Sequence, residues 1–495
     1  MLLGGSAALA DVSAEQVWAD WRAYMEAAGY EMTATETRDG DTLVITDAEM
    51  MMAIPEEDTT ITMTMGEMSF TDNGDGTVSI SIPNDLPIDV LVEGPDGEQA
   101  DIGINYATKG LSITVSGDPD ELLYAYSAAM VGISLDTLSV EGGEVPMEEF
   151  GTMELTLANV SGSTEMKIGE MRESVQKISS GALQYLIDVN DPEGEGSFVM
   201  RGTAESMDFR GSASLPEDMD SSDMTAMLDA GFGFDGTFSY EGATTEFDFQ
   251  DGEEMSQAAS SSDGGSMRVA MDASQLLYAG DARGVAITVA GSELPFPVDI
   301  AAEQSGFNIK MPVSASEDTQ DFALAMTLGG FTTSDMIWGL VDPAGQIPRN
   351  PATVSFDLSG AIKLFVDLFD PAQMEDIDSG EVMPGEINSL DINGLTVSVA
   401  GAELTGEGAF TFDNTDLTTF EGLPAPDGAL NLTLVGGNAL LDTLVSMGLV
   451  PEDQASGARM MMGLFAVPGD APDTLNSKIE VKSDGQILAN GQRIK

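Results

Sequence analysis

Two short motifs in the sequence resemble catalytic or cofactor-binding signatures. Ser174 and Lys177 have the S-x-x-K spacing in which a lysine activates a serine nucleophile for acyl transfer. The K-T-G segment that accompanies this motif is absent from the sequence, so we do not expect that chemistry. Residues 231–236 match G-x-G-x-x-G, but residues 237–240 alternate as a strand, whereas a dinucleotide fingerprint opens a helix. Neither motif therefore predicts a catalytic residue or a bound cofactor.

Candidate metal ligands are carboxylates and methionine thioethers, because the chain has no His and no Cys. Residues 72–76 (DNGDG) resemble the start of a calcium loop, yet the third and fifth positions are glycines, so a hairpin turn is the better interpretation. The 31 methionines cluster at residues 50–52, 63–68 and 460–462 and offer soft ligands for Cu(I). Core filling by these adaptable side chains is the expected role, and no specific metal site is predicted.

The charge balance of the chain excludes several classes of partner. Asp and Glu number 85 against 18 Lys and Arg, so the formal net charge is −67. Such a surface repels nucleic-acid phosphates and anionic lipid headgroups, and we expect no nucleic-acid partner. Weak, nonspecific Ca²⁺ or Mg²⁺ binding to the carboxylates is expected. The missing His and Cys exclude a Ser-His-Asp triad, a thiol nucleophile and disulfides. A hydrophobic content of 42% nevertheless indicates a folded protein.

The first ten residues predict the compartment of the protein. Residues 1–10 (MLLGGSAALA) read as the remnant of a signal peptide, an apolar segment followed by the small-x-small pattern at residues 8–10. Cleavage is expected before Asp11, which would make the protein periplasmic. The alternative is the frayed end of a cytosolic chain. No later segment reaches the roughly 18 apolar residues of a membrane-spanning helix, so we expect no transmembrane segment.

The elements that would position any site are mostly strands. Residues 61–65, 77–82, 111–115 and 395–399 alternate apolar residues with Thr or Ser, which is typical of half-buried antiparallel strands. Asn-Gly and Asp-Gly pairs between such runs predict tight hairpins. We therefore expect a mainly β fold, a long curved antiparallel sheet built as a meander with a few short helices.

One helix is predicted at the N-terminus of the mature chain. Ser13 and Gln16 form a capping box, and Val17, Trp21 and Tyr24 are spaced to lie on one helix face. Packing of this face against the first sheet is expected, and a lid or docking element is the alternative. The sequence also predicts short helices at residues 121–130, 361–369 and 439–447, with weaker candidates at residues 171–187 and 454–465.

The chain divides into two halves with a linker between them. Residues 1–10 are the signal-peptide remnant, residues 11–250 an N-terminal β-rich half that begins with a helix, residues 251–266 a linker or long loop, and residues 267–495 a C-terminal β-rich half. The eight residues from 118 recur in similar form from 272, which fits internal duplication and chance similarity equally well.

Glycine-turn and strand motifs in the C-terminal part resemble a known family. These motifs lie at residues 387–408, 428–434, 440–441 and 484–492. They look like the uncharacterised alphaproteobacterial exported family known as domain-of-unknown-function family twenty-one-twenty-five. More distantly they are similar to AsmA-like and YdgA-like envelope proteins. The distant similarity implies a long curled sheet whose apolar inner face holds or conducts lipid, although the usual membrane-anchoring helix is absent.

Two classes of function follow from this reading. In the first, the protein is not an enzyme and holds lipid or another apolar ligand in the concave face of its sheet, in the periplasm. In the second, both faces of the sheet are closed by packing, and the protein is a structural or protein-interaction module of the cell envelope without a ligand groove. The partner is accordingly a lipid or an envelope protein. The sequence assigns no residues to a groove and predicts no cofactor.

Overall fold

The computed structural model describes residues 11–495 apart from residues 28, 55–57, 192–193, 195, 217–222 and 381. Strands make up most of the described chain, and they form a long antiparallel meander with a helix at the N-terminus. The predicted mainly β fold is confirmed. The predicted signal-peptide remnant at residues 1–10 lies outside the described residues.

The helices of the described chain are short, and the two longest have 14 residues each. They are α1 (Ala14–Ala27), α2 (Met147–Phe150), α3 (Met224–Asp229), α4 (Asp335–Val341), α5 (Pro371–Asp378), α6 (Gly437–Ser446) and α7 (Glu452–Phe465).

The strands reach 20 residues in length. They are β1 (Glu31–Asp39), β2 (Thr42–Ile54), β3 (Thr59–Met65), β4 (Met68–Asp72), β5 (Val78–Ser81), β6 (Asp85–Glu93), β7 (Gln99–Lys109), β8 (Ser112–Asp118), β9 (Glu121–Val140), β10 (Gly143–Val145), β11 (Gly151–Ile168), β12 (Met171–Ser180), β13 (Leu183–Asn190), β14 (Ser197–Ala204), β15 (Ser206–Pro216), β16 (Gly233–Asp251), β17 (Glu254–Asp272), β18 (Gln275–Gly291), β19 (Val298–Met311), β20 (Gln320–Thr333), β21 (Ala352–Leu364), β22 (Gly385–Val399), β23 (Ala402–Asp413), β24 (Ala425–Val435), β25 (Val467–Pro468), β26 (Thr474–Val481), β27 (Ile487–Ala489) and β28 (Gln492–Arg493).

The chain forms two compact units. The first contains the described residues up to Gly264 together with Val289–Phe296, and the second contains Gly265–Thr288 and Pro297–Lys495. Strands β17 and β18 contribute residues to both units.

Long strands in the first unit pair with two shorter strands that follow one another along the same edge. Residues 121–127 of β9 pair with β8, and residues 130–140 pair with β7. Residues 161–168 of β11 pair with β12, and residues 151–157 pair with β13. Asn159, at the change of partner in β11, has a positive φ of 51°, which asparagine tolerates better than most residues. Because of this pairing, each of β9 and β11 has one set of neighbouring strands at one end and a different set at the other end.

The second unit is a simple meander. Strands β19 to β24 each pair with the next in the chain, and β24 then pairs with β26. Helices α6 and α7 fill the connection between β24 and β26 and contact β23 and β26. Hairpins of this kind bring residues close in sequence into contact, so the alternating pattern of each strand fixes which side chains share a face.

The hydrophobic core of the first unit lies beneath α1. Ser13 and Gln16 form the predicted capping box, with Ser13 N donating to Gln16 Oε1 at 2.8 Å and Gln16 N donating to Ser13 Oγ at 3.3 Å. Val17 and Trp18 are buried against β2, β4, β5 and β8, and the Trp18 ring lies 5.8 Å from that of Phe70. The predicted packing of α1 on the sheet is confirmed, although Trp18, which we did not place on the packed face, is its most buried aromatic residue.

Three of the predicted helices are wrong. Residues 121–130 belong to β9, residues 171–187 to β12 and β13, and residues 361–364 to β21. In β9, Leu122, Tyr124 and Ala128 are buried at even positions, so the period is two, and the apolar Leu123 and Ala125 at exposed odd positions hide it in the sequence. The two helices predicted at residues 439–447 and 454–465 are confirmed as α6 and α7.

The predicted linker at residues 251–266 is also wrong. A turn follows β16, and β17 begins at Glu254 and continues to Asp272. Small polar residues lowered the apparent strand propensity there, but backbone pairing does not require large side chains. The two similar octapeptides form the same element, because a two-residue turn joins two strands at residues 119–120 and at residues 273–274.

Candidate functional site

An open concavity of about 510 Å³ lies on one face of the first unit, over β7, β9, β11 and β13. Its floor consists of cross-strand neighbours: Ile133 of β9 stands opposite Leu155 of β11, which stands opposite Tyr185 of β13. Ile133 is 44% exposed and Met153 is 37% exposed, so these apolar side chains meet solvent. We refer to this surface as the apolar concavity; it is lined by Ile102, Ile104, Ile133, Ser134, Leu135, Leu138, Phe150, Met153, Glu154, Leu155, Tyr185 and Ile187.

A second pocket, of about 350 Å³, lies where the C-terminal half of α1 crosses β8, β9, β11 and β12. We refer to it as the α1 pocket; it is lined by Asp20, Trp21, Tyr24, Met25, Ile113, Tyr124, Tyr126, Thr164, Met166 and Arg172. It shares no residue with the apolar concavity, because the two lie at opposite ends of β9 and β11.

An ion pair closes one side of the α1 pocket. Arg172 Nη2 of β12 lies 2.7 Å from Asp20 Oδ1 of α1, and only 15% of the Arg172 side chain and 8% of the Asp20 side chain are exposed. Arg172 Nη1 contacts Met166 Sδ at 2.8 Å, and the guanidinium carbon lies 5.4 Å from the centroid of the Tyr24 ring. The pair thus places one positive and one negative group in an otherwise apolar wall.

The hydroxyl of Tyr124 completes the polar part of the α1 pocket. It donates to Asp20 Oδ2 at 3.3 Å. Burial, reinforced by the Asp20 carboxylate, raises the pKa of Tyr124 well above its usual range, so the hydroxyl stays protonated as a donor. Tyr126 lines the same pocket, and its hydroxyl is buried and has no hydrogen-bond partner among the described residues.

The second unit carries an apolar ladder on one face of its meander. Phe307 of β19 stands opposite Met326 of β20, and Ile309 stands opposite Leu324. Met326 in turn stands opposite Phe356 of β21. Phe307, Ile309, Leu324 and Met326 are each about two-fifths exposed, so this part of the face is not covered by other described residues.

The structure separates the residues of the predicted S-x-x-K motif. Ser174 and Lys177 are three apart on β12, so their side chains point to opposite faces of the sheet. Residues 233–236 of the G-x-G-x-x-G match lie in β16, as the strand prediction requires. Neither motif forms a site in the structure.

The expected core-filling role of the methionines holds for Met50 but is wrong for the cluster on α7, where Met460 is 72% and Met461 50% exposed. Met50 stands opposite Met63 across β2 and β3, and Met50 is buried. In the turn between β4 and β5, Asn73 donates to Thr77 Oγ1 and Ser79 Oγ, and Asp75 accepts from Thr77. The hairpin interpretation of residues 72–76 is therefore confirmed.

The ion pair in the α1 pocket could not be predicted from the sequence. Asp20 and Arg172 are far apart in the chain, and each is one of several charged residues on its helix or strand. The one feature of the sequence that could have drawn attention to Arg172 is the scarcity of basic residues, since the chain has 18 Lys and Arg and 85 Asp and Glu.

Two further features bear on the type of site. In the part of the chain that the structure describes, no three acidic side chains converge to hold a metal ion. Among the same residues, no helix combines the length and apolar character needed to cross a bilayer.

Comparison with known proteins places most of the second unit in a family. No curated protein and no solved structure matches the chain. Residues 221–491, more than half of the chain, match the family described as uncharacterised protein conserved in bacteria, DUF2125. This range contains the ladder strands β19 to β21 and the glycine-turn motifs at residues 387–408 and 484–491. The chain therefore belongs to the DUF2125 family of bacterial proteins.

Proposed function

We propose that the protein holds the acyl chain of a lipid in the apolar concavity, in the periplasm, without covalent chemistry. The observation that carries this proposal is an open concavity of about 510 Å³ whose lining is almost entirely aliphatic or aromatic. Volumes of roughly 300–1,000 Å³ are typical of small-molecule sites.

The chemistry of the lining favours an acyl chain over a polar ligand. Glu154, Ser134 and the Tyr185 hydroxyl are the polar groups among its twelve residues. A ligand that fills this surface gains from burying apolar area, at about 25 cal/mol per Å², and a polar ligand would lose its hydration there without compensation. The size favours a chain over a folded partner, because a stable protein interface buries about 800 Å² on each side.

Exposed apolar side chains in the first unit support an uncovered sheet face. A closed structural module would bury residues such as Ile133 and Met153, which are exposed here. The periplasmic location rests on the small-x-small pattern before Asp11, and the distant similarity to AsmA-like and YdgA-like envelope proteins stays a prediction.

Native mass spectrometry tests the proposal. The protein is expressed with a cleavable signal peptide ahead of Asp11 and purified from a periplasmic extract. It is then weighed under native conditions and extracted with organic solvent. We expect a chain beginning at Asp11 that carries a stoichiometric lipid, recovered chemically intact because no covalent step occurs. Recovery of a cleaved lipid would contradict the non-enzymatic proposal.

A matched pair of variants locates the lipid. Met153→Glu places a charge in the apolar concavity, and Thr152→Glu places the same charge on the opposite face of β11, where the side chain is exposed. We expect Met153→Glu to lose the lipid and Thr152→Glu to retain it. A lipid-free mass for the wild-type protein would overturn the proposal and favour a structural or interaction module of the envelope.

A further inference from the structure

The α1 pocket combines features of a ligand site that differs from the apolar concavity. Its volume of about 350 Å³ lies within the range of small-molecule sites, and Trp21, Met25, Ile113 and Met166 supply apolar walls. Because it shares no residue with the apolar concavity, the inference drawn from it does not depend on the proposed function.

Arg172 is incompletely paired within this pocket. A guanidinium has five N–H donors, and the contacts to Asp20 and Met166 engage two of its nitrogens. One of these two partners is a thioether, which is a weak acceptor. Phosphate oxygens form shorter and stronger charge-assisted hydrogen bonds with a guanidinium than a thioether does. An oxyanion entering the pocket would therefore find a donor that the folded chain leaves poorly satisfied.

The hydroxyl of Tyr126 provides a second, independent indication of a ligand site. Tyr126 lines the pocket, and its hydroxyl is buried and unpartnered among the described residues. A buried hydroxyl without a partner costs roughly 1–3 kcal/mol, so such groups are uncommon unless something satisfies them.

The aromatic side chains that line the pocket can also bind a cation. Trp21, Tyr24, Tyr124 and Tyr126 line it, and Asp20 adds a carboxylate. Aromatic faces attract quaternary ammonium groups, and Tyr24 already contacts the Arg172 guanidinium in this way.

The charge balance of the pocket selects between ligand classes. An anion alone would lie beside Asp20 and within the field of a chain of net charge −67, and a cation alone would lie beside Arg172. A zwitterion matches both members of the ion pair and leaves no buried charge uncompensated. We propose that the α1 pocket binds a zwitterionic amphiphile, whose phosphate contacts Arg172 and Tyr126, whose ammonium contacts the aromatic rings and Asp20, and whose alkyl chain lies against the apolar wall.

Three detergents with the same alkyl chain test the proposal. Dodecylphosphocholine, dodecyl phosphate and dodecyltrimethylammonium are titrated below their micelle concentrations into the full chain after delipidation. Binding is followed by calorimetry and by tryptophan fluorescence, to which Trp21 in the pocket contributes. We expect dodecylphosphocholine to bind at least about tenfold more tightly than either charged detergent, which corresponds to about 1.4 kcal/mol. Equal affinities for the three, or tighter binding of either charged one, would overturn the proposal. Free phosphocholine distinguishes a headgroup site from an amphiphile site, and binding as tight as that of the detergent would overturn the role of the alkyl chain.

Variants assign the binding to the α1 pocket. Arg172→Gln is expected to weaken dodecylphosphocholine binding at least about tenfold, and Arg201→Gln, which removes an exposed pair with Glu246 outside the pocket, is expected to leave it unchanged. Tyr126→Phe is expected to weaken binding several-fold while the melting temperature stays the same or rises, because the variant removes an unpartnered hydroxyl. If Arg172→Gln does not fold, Tyr126→Phe carries the test alone. Unchanged affinity in a folded Tyr126→Phe variant would then overturn the contact between its hydroxyl and the ligand phosphate.

Discussion

The ring of Tyr126 occupies the space beside Gly162, its cross-strand neighbour: a Cβ on this glycine would lie 2.6 Å from the ring atoms Cε2 and Cζ. The carbonyl oxygen of Lys177 on the other neighbouring strand would be equally close. Real Cβ atoms do not approach backbone oxygens to this distance, so any larger residue at position 162 must displace either the Tyr126 ring or β12. Gly162 thereby shapes the floor of the α1 pocket.

Gly162→Ala is expected to destabilise the first unit by about 1–3 kcal/mol, the usual cost of overpacking. Gly394→Ala is the control, because a Cβ at Gly394 meets nothing within 4 Å and its φ is not positive. We expect the control to change stability by at most about 0.5 kcal/mol. Urea unfolding followed by tryptophan fluorescence measures both variants, and equal stability of the two would show that Tyr126 and β12 yield without cost.

Trp18 anchors α1 on the sheet that forms the pocket. It is 2% exposed, its ring lies 5.8 Å from that of Phe70, and Nε1 donates to Glu36 Oε1 at 2.9 Å. Trp18→Ala is expected to cost about 3–5 kcal/mol, since it removes a buried aromatic side chain and leaves a cavity. Met336→Ala, at a residue that is 46% exposed on α4, is expected to cost much less. Calorimetry compares the two, and similar losses would mean that α1 contributes little to the core.

Asp416 accepts four hydrogen bonds in a tight turn after β23, from the backbone and side chains of Thr418 and Thr419. These bonds, led by that from the Thr419 hydroxyl, hold the pKa of Asp416 well below the ordinary aspartate value of 3.8. A group whose pKa falls on folding stabilises the native state above its unfolded pKa and loses that contribution as the pH falls through the folded pKa.

Asp416→Asn should therefore have a lower free energy of unfolding than the wild-type protein at neutral pH. The difference between the two free energies should become smaller as the pH falls below 3.8. Glu403→Gln is the control, because it removes the same charge from an exposed carboxylate on β23 for which the described residues show no hydrogen bond. Its effect measures how much stability is gained simply by reducing charge repulsion in a chain of net charge −67. The two variants are compared by denaturant unfolding across the acidic range. A difference in unfolding free energy that does not change with pH would exclude a contribution from the Asp416 pKa.

The alternation of side chains in a strand could be read from the sequence, and the partners of that strand could not. Residues 61–65 and 395–399 alternate clearly and lie in strands β3 and β22. In β9 the same period is hidden because the exposed positions include the apolar Leu123 and Ala125, so the sequence predicts a helix where pairing on both edges imposes a strand. In β9, pairing with neighbouring strands therefore outweighs the helical preference of the local sequence.

The candidate sites were less accessible to sequence reasoning than the strands. An apolar alternation predicts that one face of a strand avoids water, but it does not predict whether another layer covers that face. Ile133 and Met153 are exposed because nothing in the described chain packs on them, a fact of topology rather than of residue type. The pairing of Asp20 with Arg172 depends on how α1 crosses β12, which no local pattern records.

The exposed ladder of the second unit yields a final prediction, because its side chains gain little from the fold and remain available to apolar probes. Met326 is 42% exposed and stands between Phe307 and Phe356 on this face, whereas Ala325 points to the opposite face of β20. Met326→Glu is expected to lower the fluorescence of a bound anionic hydrophobic dye, because the new charge breaks the apolar surface on which the dye lies. Ala325→Glu adds the same charge to the chain without touching that surface, so a general loss of dye by repulsion would appear equally in both variants. A decrease confined to Met326→Glu, with circular dichroism unchanged, would identify the ladder as the dye-binding surface, and equal signals from the two variants would place dye binding elsewhere.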